Sequence, residues 1–160
     1  MNIALVAHDA RKSELLEWVE YNMAELLKHN LYATGTTGKL IQKIQEHLIP
    51  NDDGFSCTVV RPFEKNVTPL LSGPLGGDSQ IGAMIAEGKI DMLIFFCDNL
   101  ITQGHQQDVG ALVRLASLYN IPFATNRTTA DMILTSPLFK DENYKRILPT
   151  AIENYKNRKV

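Results

Sequence analysis

A chain of 160 residues with 44% hydrophobic side chains is long enough to bury a sizeable core. We read residues 1–160 as a single domain with an extended excursion near residues 50–66. The formal net charge of −2 excludes a global electrostatic pull toward nucleic acid or an anionic membrane. Two cysteines exclude a disulfide framework, and neither Cys57 nor Cys97 stands at a metal-ligand spacing such as CxxC.

Residues 2–7 (NIALVA) form an almost wholly apolar run, the signature of a strand covered on both faces. No basic region followed by an apolar stretch precedes it, so no export signal is read and a cytoplasmic location is expected. The run leads into His8 and Asp9, then into a helical pattern over residues 11–30. There Leu15, Leu16, Val19, Met23, Leu26 and Leu27 make one stripe, with Trp18 off its centre. Residues 31–34 form a second strand, followed by a glycine–threonine turn and a helical pattern over residues 39–48.

PNDDG at residues 50–54 breaks that pattern. Residues 55–63 are β-rich but Pro-interrupted, and read as an extended excursion or edge strand. Residues 67–71 are a third strand, and residues 80–87 an amphipathic helix ending at Gly88. The strongest strand is IDMLIFFC at residues 90–97, which makes Cys97 a small core residue. Its longest apolar part, residues 92–97, is far too short to span a bilayer. A polar loop through His105 follows, then a helix over residues 108–120 and a strand over residues 121–125. The next helix, residues 128–134, is capped by Thr128 or Thr129, and a charged tail closes the chain. Five strands alternating with helices predict an α/β fold, a parallel sheet with right-handed crossovers.

The polar groups are not scattered. His8 and Asp9, Thr34 to Thr37, Ser72 to Asp78, Asp98 to His105, and Asn126 each follow an apolar strand. Parallel strands bring those ends to one edge of the sheet, where open α/β sheets bind ligands. In SGPLGGD, residues 72–78, three glycines and a proline force a sharp turn that ends on Asp78, read as the N-cap of the next helix. In TGTTG, residues 34–38, Gly35 and three threonine hydroxyls before a helix supply the donors of a phosphate cradle. It is neither a Walker loop nor a GxGxxG fingerprint. Lys12 offers a compensating cation. Asp78 and His105 are the acid–base pair, with Asp98 and Asp108 placed to orient the histidine, and Asp108 equally able to cap its own helix. His29 and His47 read as ordinary surface residues.

With these residues in view, the chain resembles the methylglyoxal synthase family. The matching segments are residues 4–12 (ALVAHDARK), 31–38 (LYATGTTG), 70–98 (LLSGPLGGDSQIGAMIAEGKIDMLIFFCD), His105 with Asp108, and 111–131 (ALVRLASLYNIPFATNRTTAD). The resemblance implies a three-layer α/β/α sandwich with a five-stranded sheet, and a homohexamer. It implies the substrate dihydroxyacetone phosphate, the products methylglyoxal and inorganic phosphate, and no metal or organic cofactor. It assigns Asp78 as the catalytic carboxylate and His105 as a substrate-contacting histidine. His8, Lys12, the loop from Thr34 through Gly35 and Thr36 to Thr37, Ser72 and Gly73 match its phosphate- and substrate-binding positions. Asp9, Asp98 and Asp108 match supporting acids. Asn99 and Gly104 stand where prolines are common in the family, the excursion is longer than expected, and Arg114 falls where family members couple subunits. Two other readings stay open on this edge: a ligand-sensing regulatory module and a phosphosugar isomerase.

Overall fold

The computed structural model describes residues 1–44, 48–50, 57–100 and 106–158, with the backbone alone for 48–50, 57–59 and 106–108. In chain order it contains β1 (Asn2–Ala7), α1 (Lys12–Tyr21), α2 (Met23–Leu26), β2 (Asn30–Ala33), α3 (Gly35–Ile41), β3 (Leu48–Pro50) and β4 (Cys57–Val59). It continues with β5 (Val67–Pro69), α4 (Gly77–Ala86), β6 (Met92–Phe96), α5 (Gln106–Leu118), β7 (Phe123–Ala124), α6 (Arg127–Thr135), α7 (Pro137–Lys140) and α8 (Thr150–Lys156).

Five of the strands form one sheet in the order β5-β2-β1-β6-β7, and every neighbouring pair is parallel. The register pairs Ala7 with Phe96, Leu5 with Ala33, Ala33 with Pro69 and Ile94 with Ala124, so the carboxyl ends of the strands share an edge. The order reverses at β1: β2 and then β5 are laid down on one side of it, after which the chain crosses over to add β6 and β7 on the other. That is the switch point at which a crevice opens.

Alternation along β1 explains the layers. Ile3, Leu5 and Ala7 face one core with Leu15, Trp18 and Val19 of α1, Leu26 of α2, Ile41 of α3, and Ala130 and Leu134 of α6. Ala4 and Val6 face the other, with Ile81 and Ile85 of α4 and Leu112 and Ala116 of α5. Helices therefore cover both sides, which is the three-layer α/β/α arrangement that the family resemblance implies. Each fully buried Leu or Ile contributes about 1.5–3 kcal/mol, while exposed ion pairs such as Arg127–Glu17 contribute about 0–1 kcal/mol. The sheet is held by its two apolar layers.

Several local expectations need correction. The helix read over residues 11–30 breaks at Asn22, whose side chain donates to the Trp18 carbonyl at 2.9 Å. Trp18 is fully buried rather than peripheral, because its Nε1–H finds the Asp131 carboxylate at 2.7 Å. The helix read over residues 39–48 runs instead over Gly35–Ile41, and Leu48 belongs to β3. β3 and β4 pair antiparallel as a separate two-stranded sheet, so the β-rich excursion is not an edge of the main one. The α6 cap is Asn126, whose Oδ1 accepts from the Thr129 N–H at 2.9 Å, rather than Thr128 or Thr129. His29 is half-buried, edge-on to the Phe139 ring at 5.3 Å. Burial and the nearby terminal ammonium lower its pKa. His47 lies outside the described residues. Gly88 does end α4: at φ +74° it lets the Lys89 N–H reach the Met84 carbonyl at 2.8 Å.

Candidate active site

Two loops, residues 34–38 and 70–78, build one rim of the crevice, and their backbones are docked on each other. The Gly35 N–H donates to the Leu71 carbonyl at 2.9 Å, and the Leu70 N–H to the Ala33 carbonyl at 2.7 Å. A Cβ on Gly35 would stand 2.9 Å from the Leu70 carbonyl oxygen, and one on Gly77 2.0 Å from that of Leu71. Small residues are thus what let the loops close. From α4 the Gln80 side chain reaches back to accept the Leu71 N–H at 2.8 Å. Gly76, at φ +99°, turns the chain into α4. Asp78 consequently sits inside the first turn of α4, whose N-cap is Gly76, and not at the N-cap position expected for it.

Thr34 occupies the N-cap of α3, yet its hydroxyl does not cap. It donates to the Thr37 Oγ1 at 3.5 Å, and both threonines are buried at the floor of the rim while Thr36 is exposed.

Across from these loops stands the end of β1. His8 Nδ1 accepts the Asp98 N–H at 2.8 Å, which leaves the ring proton on Nε2. The ring also meets Phe95 edge-on, with centroids 5.1 Å apart. Lys12 pairs with the Asp9 carboxylate one turn back. The Asp98 carboxylate accepts from the Leu100 N–H at 3.1 Å in a local turn.

Between the two sides lies a cleft of about 360 Å³. Its lining includes His8, Asp9, Lys12, Thr34, Thr36, Thr37, Ser72, Gly73 and Asp78, with Val6, Ala7, Pro74 and Phe95. Gly35 stands behind it, in the seam between the loops. The arrangement combines hydroxyls, a glycine-rich backbone, one ammonium and a carboxylate that can accept a proton. His105 lies outside the described residues. Asp108 is the third residue of α5 rather than the residue that opens it, and Asp98 meets the cleft through its N–H bond to His8. Phe95 was absent from the candidates. Its signal was present in the alternation of the sixth strand, which aims every second side chain at the α4–α5 side, but nothing in the pattern ties it to His8. Among the described residues no group of His, Cys, Asp and Glu could hold a metal ion. None of the described helices is long and apolar enough to cross a membrane.

A larger depression, about 420 Å³, lies around Lys28, His29, Tyr32, Lys65 and Thr68. It is shallower and is lined by no carboxylate and no glycine turn.

Fold and cleft together define a parallel-sheet α/β protein whose ligand crevice carries a carboxylate beside a threonine- and glycine-built rim. Comparison with known proteins narrows that class. A family model described as an MGS-like domain matches residues 59–125. Methylglyoxal synthase of Maridesulfovibrio salexigens is 48% identical over 99% of this chain and 97% of its own length. That of Proteus mirabilis is 52% identical over 91% of this chain and 84% of its own. The crystal structure of methylglyoxal synthase from Elizabethkingia anophelis, 42% identical, matches with a TM-score of 0.78 over 99% of this chain and 91% of that one. The chain belongs to the methylglyoxal synthase family.

Proposed function

We propose that this protein converts dihydroxyacetone phosphate to methylglyoxal and inorganic phosphate, as a carbon–oxygen lyase, with Asp78 as the base. The observation that carries the reading is the joining of Asp78, Lys12, His8 and the threonine loop around one cleft in a chain of this family. Thr34, Thr36, Thr37, Ser72 and the Gly73 N–H, with Lys12, grip the phosphate monoester, and Gly35 and Asp9 support that grip. Asp78 removes a proton from the hydroxymethyl carbon, and the electron pair becomes the enediolate. His105 steadies the developing oxygen, with Asp98 and Asp108 as supporting acids. The electron pair of the enediolate then expels phosphate by breaking the carbon–oxygen bond at the other carbon. This requires that bond to stand perpendicular to the enediolate plane, where its σ* orbital overlaps the π system. The enol product tautomerises to methylglyoxal. No step needs a metal or organic cofactor.

Residues 1–160 act as one domain in this reading, in the cytoplasm and in a homohexamer. Exposed apolar side chains at Tyr144, Ile147, Leu148 and Tyr155 are consistent with association. A solution mass of one subunit would remove the hexamer. The activity itself is tested by incubation with dihydroxyacetone phosphate. Free phosphate with methylglyoxal is the expected result; glyceraldehyde 3-phosphate would mean an isomerase, and no turnover a binding module.

A further inference from the structure

Glycine at position 73 has no backbone cause. Among the described residues the glycines with positive φ are Gly76 and Gly88, so Gly73 holds a conformation open to any L residue. Close backbone packing does not require it either. A Cβ on Gly35 or Gly77 would strike main-chain atoms of residues 70–72, and one on Gly38 would strike Pro69. On Gly73, the three nearest atoms all belong to a single side chain: Asp78 Oδ2 at 2.9 Å, Cγ at 3.7 Å and Oδ1 at 3.8 Å.

The geometry points to Gly73 as the positioning residue for the Asp78 carboxylate, its missing side chain being the seat in which that carboxylate lies. The inference rests on the reading of Asp78 as the base. The loop turns at Gly73 into a short 3-10 turn, Gly73–Leu75, and α4 then brings Asp78 back over it. The far end of an aspartate can rotate, unlike a carbonyl in a docked backbone. A methyl group at position 73 therefore leaves the fold standing and pushes the carboxylate aside. The N–H of residue 73 remains, so the phosphate grip remains with it. Misplacing a reacting group by about 1 Å can cost about 100-fold in rate.

The test uses the full chain and four variants: Gly73→Ala, Asp78→Asn, the double variant Gly73→Ala/Asp78→Asn, and Gly73→Ala/Asp78→Ala. The turnover number, KM for dihydroxyacetone phosphate and inhibition by inorganic phosphate are measured for each. Gly73→Ala is expected to lose about 100-fold in kcat with phosphate inhibition unchanged. Gly73→Ala/Asp78→Asn is expected to be as slow as Asp78→Asn and no slower, because displacing an absent base costs nothing. Losses that multiply, or a loss carried wholly by weaker phosphate binding, overturn the seat. Thermal stability gives a second arm. Removing the carboxylate in Gly73→Ala/Asp78→Ala should restore the Tm, or the folding, that Gly73→Ala loses, and failure to restore it also overturns the proposal. An inactive Asp78→Asn beside a normal Gly73→Ala sinks the seat alone, whereas a fully active Asp78→Asn sinks the base and the seat with it.

Discussion

The Asp98 N–H donates to His8 Nδ1 at 2.8 Å, joining the ends of β6 and β1 across the switch point of the sheet. An imidazole that accepts at Nδ1 presents Nε2 as its donor, so the donor side of His8 is defined. Nitrogen NMR of the histidine ring is expected to show an unprotonated Nδ1 and a protonated Nε2. The reverse pattern would refute the assignment. His8→Ala strands the Asp98 N–H and should lower stability by about 1–3 kcal/mol, measured by denaturant unfolding, while raising KM.

Lys12 and Thr37 test the cradle. Lys12 faces the cleft from the first turn of α1, and Thr37 is 1% exposed at its floor. Loss of one charge-assisted hydrogen bond to phosphate is worth about 1.5–3 kcal/mol, so Lys12→Ala should raise KM by about 10- to 100-fold. Thr37→Val should do the same to a smaller degree. In both variants kcat is expected to stay near the parent value. A fall confined to kcat would contradict the grip.

Trp18 gives a prediction about stability apart from the site. Its indole is fully buried beside Phe96, with ring centroids 6.0 Å apart, and its N–H is bound by Asp131 at 2.7 Å. Trp18→Phe keeps the apolar contact but leaves the carboxylate without that donor. The cost of a hydrogen bond to a charged group, about 1.5–3 kcal/mol, corresponds to a Tm lower by about 3–12 °C in a chain of this length. Circular dichroism should record that drop with KM unchanged.

Burial pushes the Cys97 thiol up to about 11 from an ordinary 9.0. Native protein carrying Cys57→Ser, which leaves Cys97 as the sole thiol, should react with a thiol reagent at pH 8 only after denaturation. The sign for stability follows from the same shift. Above pH 9 the unfolded chain loses this proton while the folded one keeps it, so the unfolded state binds fewer protons and stability falls toward pH 11. Cys97→Ala should lessen that fall in an unfolding series across the same range.

The strands and the two site loops were legible because their signals are local. NIALVA and MLIFF are continuous apolar runs, and the glycines of TGTTG and SGPLGGD announce their own turns. Trp18 was misplaced because its burial depends on Asp131, 113 residues away, which no helical stripe reveals. The Asn126 cap was missed because two threonines inside the same turn offer the same chemistry. The position of β4 depended on its partner β3, hidden in what reads as the end of a helix. In the cleft, sequence supplied the residue types, but the nearness of Asp78 to Gly73 and of His8 to Asp98 is a product of chain crossings. The carboxylate's place in the first turn of α4 instead of at its N-cap followed from Gly76, not from Asp78 itself.

The clasp between Gly35 and Leu71 ties the threonine loop and the Asp78 loop of the cleft to each other through their backbones. Lengthening either loop would pry them apart together, leaving no way to enlarge the pocket there for a bulkier sugar phosphate without losing the chemistry. Any natural or engineered widening of substrate range has to come from the opposite bank, where β6 ends and His8 is tied to Asp98.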